Sequence, residues 1–161
     1  MFNFTLRDYI RQAMIASIYV VLVFLFQPIS YESLQFRIAE LLVIIVLFDH
    51  KSIVGLTIGC FVANLFSPLL VYDLTFGTFA TFLTLLLMIK TKNLYVRLLY
   101  PSLINALIVG FALTLAFETP YLLNMGSVFI GQFVVTYVIG LPLYLILNQN
   151  TGFKSLFHDE I

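Results

Sequence analysis

The chain has 161 residues, of which 61% are hydrophobic and 10% charged, and its formal net charge is zero. This composition is that of an integral membrane protein, and it leaves no stretch for a separate soluble domain. Zero net charge gives no electrostatic case for a nucleic-acid partner. The single cysteine, Cys60, excludes an internal disulfide and reads as a small buried hydrophobe.

A membrane-crossing helix needs about 20 mostly apolar residues, or roughly 17 at the short end. Taken in chain order, six runs are candidates, three of them close to that lower limit: about 9–26, 33–48, 52–67, 74–89, 95–117 and 122–147. They are continuously apolar and do not alternate with period two, which argues for helices and against a barrel. The expected fold is therefore an all-α, six-helix transmembrane bundle forming one integral membrane domain over 1–161. The polar start "FNFTLRDYIRQ" lacks a small-residue cleavage site, so the first run reads as a retained helix.

The breaks between runs fall into two kinds. Pro28, Pro68 and Pro120 follow the first, third and fifth runs, whereas Asp49-His50-Lys51 and Lys90-Thr91-Lys92-Asn93 follow the second and fourth. One end of the bundle thus carries prolines and the other lysines. Arg7, Arg11, Lys51, Lys90, Lys92, Arg97 and Lys154 fall at the lysine end, and Arg37 alone at the proline end. Basic residues favour the cytoplasmic side, so both termini are expected there. No internal repeat supports an inverted-repeat transporter.

Charge inside an apolar run is a functional-site hypothesis by default, because it costs about 2.5–3.5 kcal/mol at a helix centre. In "QFRIAE" (35–40), Arg37 and Glu40 stand three apart. On a helix they share a face and can satisfy one another. The bland reading is a structural ion pair; the functional one is a polar pocket opening at the proline end. Asn64, Asp73, Asn105, Glu118 and Gln132 map mostly to the same half of the chain's runs. Singly, such amides often just join helices. Together, acids, amides and one arginine suit a small polar ligand. Tyr31, Phe36, Tyr72, Phe76 and Tyr121 lie at similar depth and offer stacking faces, or else an interfacial aromatic belt.

Small residues form two stripes. Gly55, Gly59 and Ala63 recur every four residues, and Ala13 and Ser17 make a second pair. Such stripes let helix backbones approach closely, either within the chain or against a partner. There is no G-x-x-x-x-G-K-[ST], H-E-x-x-H or G-x-S-x-G motif, and no Cys/His cluster, so neither ATP use nor catalysis is expected of this chain.

The blocks "AMIASIYVVLVFLFQPISY", "QFRIAE", "GLTIGCFVANLFSP" and "YDLTFGT" followed by Ala80-Thr81 resemble the QueT family. The resemblance covers nearly all of 13–147. It implies an S component, the substrate-binding subunit of an energy-coupling factor (ECF) importer in a bacterial plasma membrane. Implied partners are a transmembrane coupling subunit and two ATPase subunits, which would use the ATP. The implied ligand is a queuosine precursor or queuine, a 7-deazaguanine, bound near the outer face by residues drawn from Arg37, Glu40, Asn64, Tyr72, Asp73, Asn105, Glu118 and Gln132. On this reading Glu40 or Glu118 takes the guanine edge and Asp73 an aminomethyl group. Docking is implied through small residues of the first helix, here Ala13 and Ser17, with Gly55, Gly59 and Ala63 possible members of that face. Two alternatives stand beside it: an S component for another vitamin-like solute, and a structural membrane scaffold whose polar groups are helix glue.

Overall fold

The computed structural model describes residues 4–27 and 36–157, and among these it contains seven helices and no strand. They are α1 (Leu6–Leu25), α2 (Ile38–Leu47), α3 (Ser52–Asn64), α4 (Leu70–Lys90), α5 (Leu94–Phe117), α6 (Tyr121–Gln149) and α7 (Thr151–Ser155). Helices α1, α4, α5 and α6 are long and apolar enough to cross a membrane. Helices α2 and α3 are apolar but shorter. Pro28, Tyr31, Glu32 and the expected start of the second run at Ser33 lie outside the described residues, as does His158.

The bundle is built inside out relative to a soluble protein. Large apolar side chains such as Met14, Val21, Phe61, Val71, Leu107 and Ile146 face outward, while Gln12, Glu40, Asp73, Thr84, Asn105 and Gln132 are buried. Hydrocarbon as the surrounding solvent explains this arrangement, because only there does exposing leucine cost nothing.

Local sequence sets each element. Thr5 and Asp8 form a capping box at the start of α1: Thr5 N donates to Asp8 Oδ2 (2.9 Å) and Asp8 N to Thr5 Oγ1 (3.3 Å). Asn93 caps α5 by accepting from Tyr95 N (3.0 Å). Glu118 ends α5 in the left-handed conformation, with φ 55°. Helix α2 is wound as a 3-10 helix for ten residues, an unusually long run for this tighter coil. Helix α4 contains a π-helical segment over Asp73–Gly77 and α6 another over Val134–Ile139. The second lies just before Pro142, whose ring cannot donate to the ladder and crowds the preceding turn. A wider coil there relieves both problems.

Glycines bring the helices together at two crossings. A Cβ on Gly55 would lie 2.7 Å from the Gln12 carbonyl oxygen, and one on Gly59 2.8 Å from Tyr19 Cβ. The Gly55/Gly59 stripe is therefore occupied inside the chain by α1. Gly110 on α5 similarly faces the Met125 backbone of α6. Asn124 ties the same pair by donating to Thr114 Oγ1 (2.9 Å) and Thr119 Oγ1 (2.8 Å).

The lysine end is held by a polar clamp. Lys51 Nζ meets Asp8 Oδ2 at 2.6 Å, and Arg11 Nη1 lies 3.4 Å from Asp8 and 3.5 Å from Asp49. Gln12 Oε1 accepts from Gly55 N at 3.1 Å. Phe48 packs on Tyr144, Phe153 and Phe157, which folds α7 back under the bundle.

Candidate functional site

The polar interior divides into an upper group near the proline end and a layer at mid-depth. The upper group is assembled by α2, α3 and α4. Arg37 Nη2 donates to Asp73 Oδ1 at 3.0 Å, and both side chains are 4% exposed. Ser67 Oγ donates to the other carboxylate oxygen of Asp73 and accepts from Leu69 N at 3.0 Å. Asn64 Nδ2 donates to the Asp73 carbonyl at 2.8 Å and to Thr78 Oγ1 at 3.2 Å. Asp73 opens the π-helical segment of α4, so Asn64 serves a carbonyl at the point where the ladder changes pitch. Gly77 leaves room for this group: a Cβ there would sit 3.2 Å from Asn64 Nδ2 and 3.5 Å from Arg37 Nη1.

The expected pairing of Arg37 with Glu40 is replaced by Arg37 with Asp73. Arg37 stands before the first turn of α2 with ψ 89°, outside helical geometry. The three-residue neighbour relation of a helix therefore does not apply to it. Glu40 instead accepts from Tyr19 Oη at 2.8 Å and from Thr81 Oγ1 at 3.4 Å, both through Oε1.

Glu40 belongs to the mid-depth layer, with Thr81, Asn105 and Gln132. These three stand about three helical turns from the proline ends of α4, α5 and α6. Glu40 and Gln132 are 1% exposed and Asn105 3%. Ser102 Oγ and Thr136 Oγ1 lie 3.3 Å apart and join α5 to α6 one turn closer to the lysine end. Cys60 Sγ lies 3.4 Å from Thr81 Oγ1 and accepts from Asn64 Nδ2 at 3.4 Å, linking the two groups.

The remaining candidates sit elsewhere. Glu118 is exposed at the end of α5 and does not join the buried acids. It follows the last turn of α5 in the left-handed conformation, so its depth along the sequence did not fix which way it faces. Tyr72 is half-buried beside Asp73. Phe76 and Tyr121 flank Phe111, with ring centroids 6.1 and 6.3 Å away, along an apolar groove of about 620 Å³. Tyr31 lies outside the described residues. Ala13 and Ser17 are exposed on α1, whereas Gly55, Gly59 and Ala63 are buried.

Tyr19, Ser67 and Thr81 also belong to these buried polar groups, and sequence reading did not single them out. Tyr19 was legible in principle. It shares the buried stripe Asp8, Gln12, Ile15, Tyr19, Val23 of α1, where a phenol must find a partner. Ser67 and Thr81 carry no such signal, since short hydroxyls in membrane helices often bond their own backbone.

Comparison with known proteins identifies the family. A curated relative, the queuosine precursor transporter QueT of Lactococcus lactis subsp. cremoris (strain MG1363), is 31% identical over 147 residues, covering 81% of this chain and 86% of that protein. No solved structure matches. The QueT transporter family profile matches residues 9–149, nearly the full set of helices that bury these acids and amides. This is a family of transporters, not enzymes, and the chain is a membrane protein that belongs to it.

Proposed function

We propose that the chain is the substrate-binding S component of an ECF-type importer for queuosine precursors, with its ligand held among the buried acids and amides. The observation that carries this reading is the burial of Arg37, Glu40, Asn64, Asp73, Asn105 and Gln132 inside a shell of lipid-facing hydrophobes, in a chain of the QueT family. Polar groups at such depth are retained where they line a substrate path or join helices. The relative's name supplies the ligand class: a queuosine precursor, hence a 7-deazaguanine.

Several features support the finer parts of the proposal. The chain has no nucleotide-binding motif, so energy for uptake comes from ATPase partners. Helices α2 and α3 are each about 20 Å long, at roughly 2.0 Å per residue for a 3-10 helix and 1.5 Å for an α-helix. They cross as short spans, which makes six crossings with both termini cytoplasmic, in line with the basic-residue count. Ala13 and Ser17 offer the coupling subunit a smooth face. They are exposed, and Ala13 lines a groove of about 430 Å³ with Tyr9, Ala16, Val54 and Ile58. The glycine stripe of α3 is engaged by α1 and is not part of that face.

The reading is tested by calorimetry on the detergent-purified chain with 7-aminomethyl-7-deazaguanine. Glu40→Gln is expected to weaken binding roughly 10–100-fold, the range for losing a hydrogen bond to a charged group, while the melting temperature stays near that of the parent. Parental affinity in Glu40→Gln would remove Glu40 from the site.

A further inference from the structure

Several buried polar atoms have no hydrogen-bond partner, and each calls for a reason. Glu40 Oε2, Asn105 Nδ2 and Gln132 Oε1 belong to the interior already described. Nε and Nη2 of Arg97 stand apart from it. Arg97 lies one turn inside α5 at the lysine end, where its own amide donates to the Asn93 carbonyl at 3.0 Å. Arginine keeps its charge in a protein, so covering its donors without a partner is costly. Two other cations of that end show the contrast, since Lys51 and Arg11 share the carboxylates of Asp8 and Asp49. Among the described residues no carboxylate pairs with Arg97.

The two atoms form one edge of a single planar group. In a guanidinium, Nη1 lies on the side of the stem and Nη2 on the side of the Nε hydrogen. Nε–H and one N–H of Nη2 therefore run parallel, by covalent structure alone. This two-pronged donor edge fits two oxygens of one phosphate or carboxylate. The guanidinium lies in the cleft where the start of α5 meets the end of α6. Those stretches pack together, and Tyr144 of α6 is the titratable group near enough to act on Arg97. Tyr144 is held in turn by Phe48, with ring centroids 5.2 Å apart. Arg97 as a whole is only half-buried. Its long stem lets a change of rotamer, without a helix shift, carry the fork to the surface. The amides that open α5 are not the attraction, because Asn93 Oδ1 already accepts from Tyr95 N (3.0 Å) and Val96 N (3.4 Å).

We infer that Arg97 binds the phosphate of an anionic phospholipid at the lysine end, through its Nε–H and Nη2–H edge. Its place in the first turn of a membrane-crossing helix is the depth of a headgroup. Tyr95 and Val96 beside it are exposed, so acyl chains flank the position. Lys90 and Lys92 are exposed in the turn that leads into α5 and keep the local field positive. That field disfavours a zwitterionic headgroup, whose outer charge is positive. Basic pockets between spanning helices at the cytoplasmic face take acidic headgroups in this way. A carboxylate of the coupling subunit fits less well, because the proposed docking face is on α1, whose main packing is on α2 and α3. The inference rests on the chain being a membrane protein and not on which solute it carries. The proposed orientation supplies the leaflet, the cytoplasmic one, whose surface is negative.

The test uses the full chain in a neutral detergent with three probes: short-chain phosphatidylglycerol, phosphatidylcholine with the same chains, and inorganic phosphate. Bound lipid is counted by native mass spectrometry, and the melting temperature is recorded alongside. The parent is expected to bind phosphatidylglycerol at least about tenfold more tightly than phosphatidylcholine, and to melt at a higher temperature with it. Arg97→Met should weaken phosphatidylglycerol about tenfold or more, as expected for lost hydrogen bonds to a charged group. Arg97→Lys keeps the charge without the fork and is expected to lose most of that affinity. Without lipid, Arg97→Met should melt at or above the parental temperature, because covered donors without a partner are gone. A clearly lower value would show a guanidinium that holds helices together and would overturn the assignment. Equal binding of the two lipids by the parent, parental affinity in Arg97→Lys, or full competition by inorganic phosphate at the same concentration would also overturn it. So would parental lipid affinity in Arg97→Met; if that variant also fails to hold the coupling subunit, the fork belongs to a partner's carboxylate.

Discussion

Asp73→Ala is expected to destabilise the ligand-free bundle by about 3 kcal/mol, the lower end of the range for a broken buried ion pair. For a chain of this length that corresponds to a fall of roughly 10 °C in melting temperature, read by tryptophan-independent light scattering or by size exclusion after heating in detergent. The reason is local. Arg37 loses the carboxylate 3.0 Å away, and Ser67 loses its acceptor at the mouth of the loop that enters α4. Removing one member of a buried ion pair costs more than replacing both by an apolar pair of the same volume. The double variant Arg37→Met/Asp73→Leu should therefore recover most of the lost stability. A melting temperature unchanged by Asp73→Ala would show that the pair holds nothing together.

The second large effect concerns coupling and separates transport from binding. Ala13→Phe combined with Ser17→Phe fills the exposed face of α1 without touching the polar interior. Ligand affinity of the isolated chain is expected to stay at the parental value. Uptake into vesicles carrying the coupling subunit and both ATPases should drop to background, because close helix approach depends on small side chains. Parental uptake would move the docking face elsewhere. Uptake by the chain without ATPases would contradict ECF-type coupling altogether.

Much of the architecture was legible because hydrocarbon imposes a simple rule on sequence. The long runs that became α1, α4, α5 and α6 had to satisfy their backbones internally, so apolar length alone located them. Coil type was not legible. Hydropathy reports transfer from water and is blind to whether "IAELLVIIVL" winds as an α- or a 3-10 helix. The π-helical segment before Pro142 leaves only an indirect trace, and the start of α4 at Leu70 ahead of Asp73 was obscured by the polar side chain itself.

The site shows the same division. Arg37, Glu40 and Asp73 stood out because charge inside an apolar chain needs a reason. Their pairing could not be read, since Arg37 and Asp73 are 36 positions apart and meet only through packing. Glu118 looked equivalent by depth, yet it lies at the surface where α5 ends. The amides Asn105 and Gln132 were visible as residues. Their lack of partners was not, because satisfaction is a property of the fold.

The most direct measurement is mass spectrometry of the small molecule released from the purified chain, with parent and Gln132→Met compared at equal protein amount. A 7-deazaguanine near one per chain from the parent, and a small fraction of that from Gln132→Met, is the expected result. Release of a solute other than a 7-deazaguanine, or equal amounts of a 7-deazaguanine from both proteins, would contradict a ligand of that class held among the buried acids and amides.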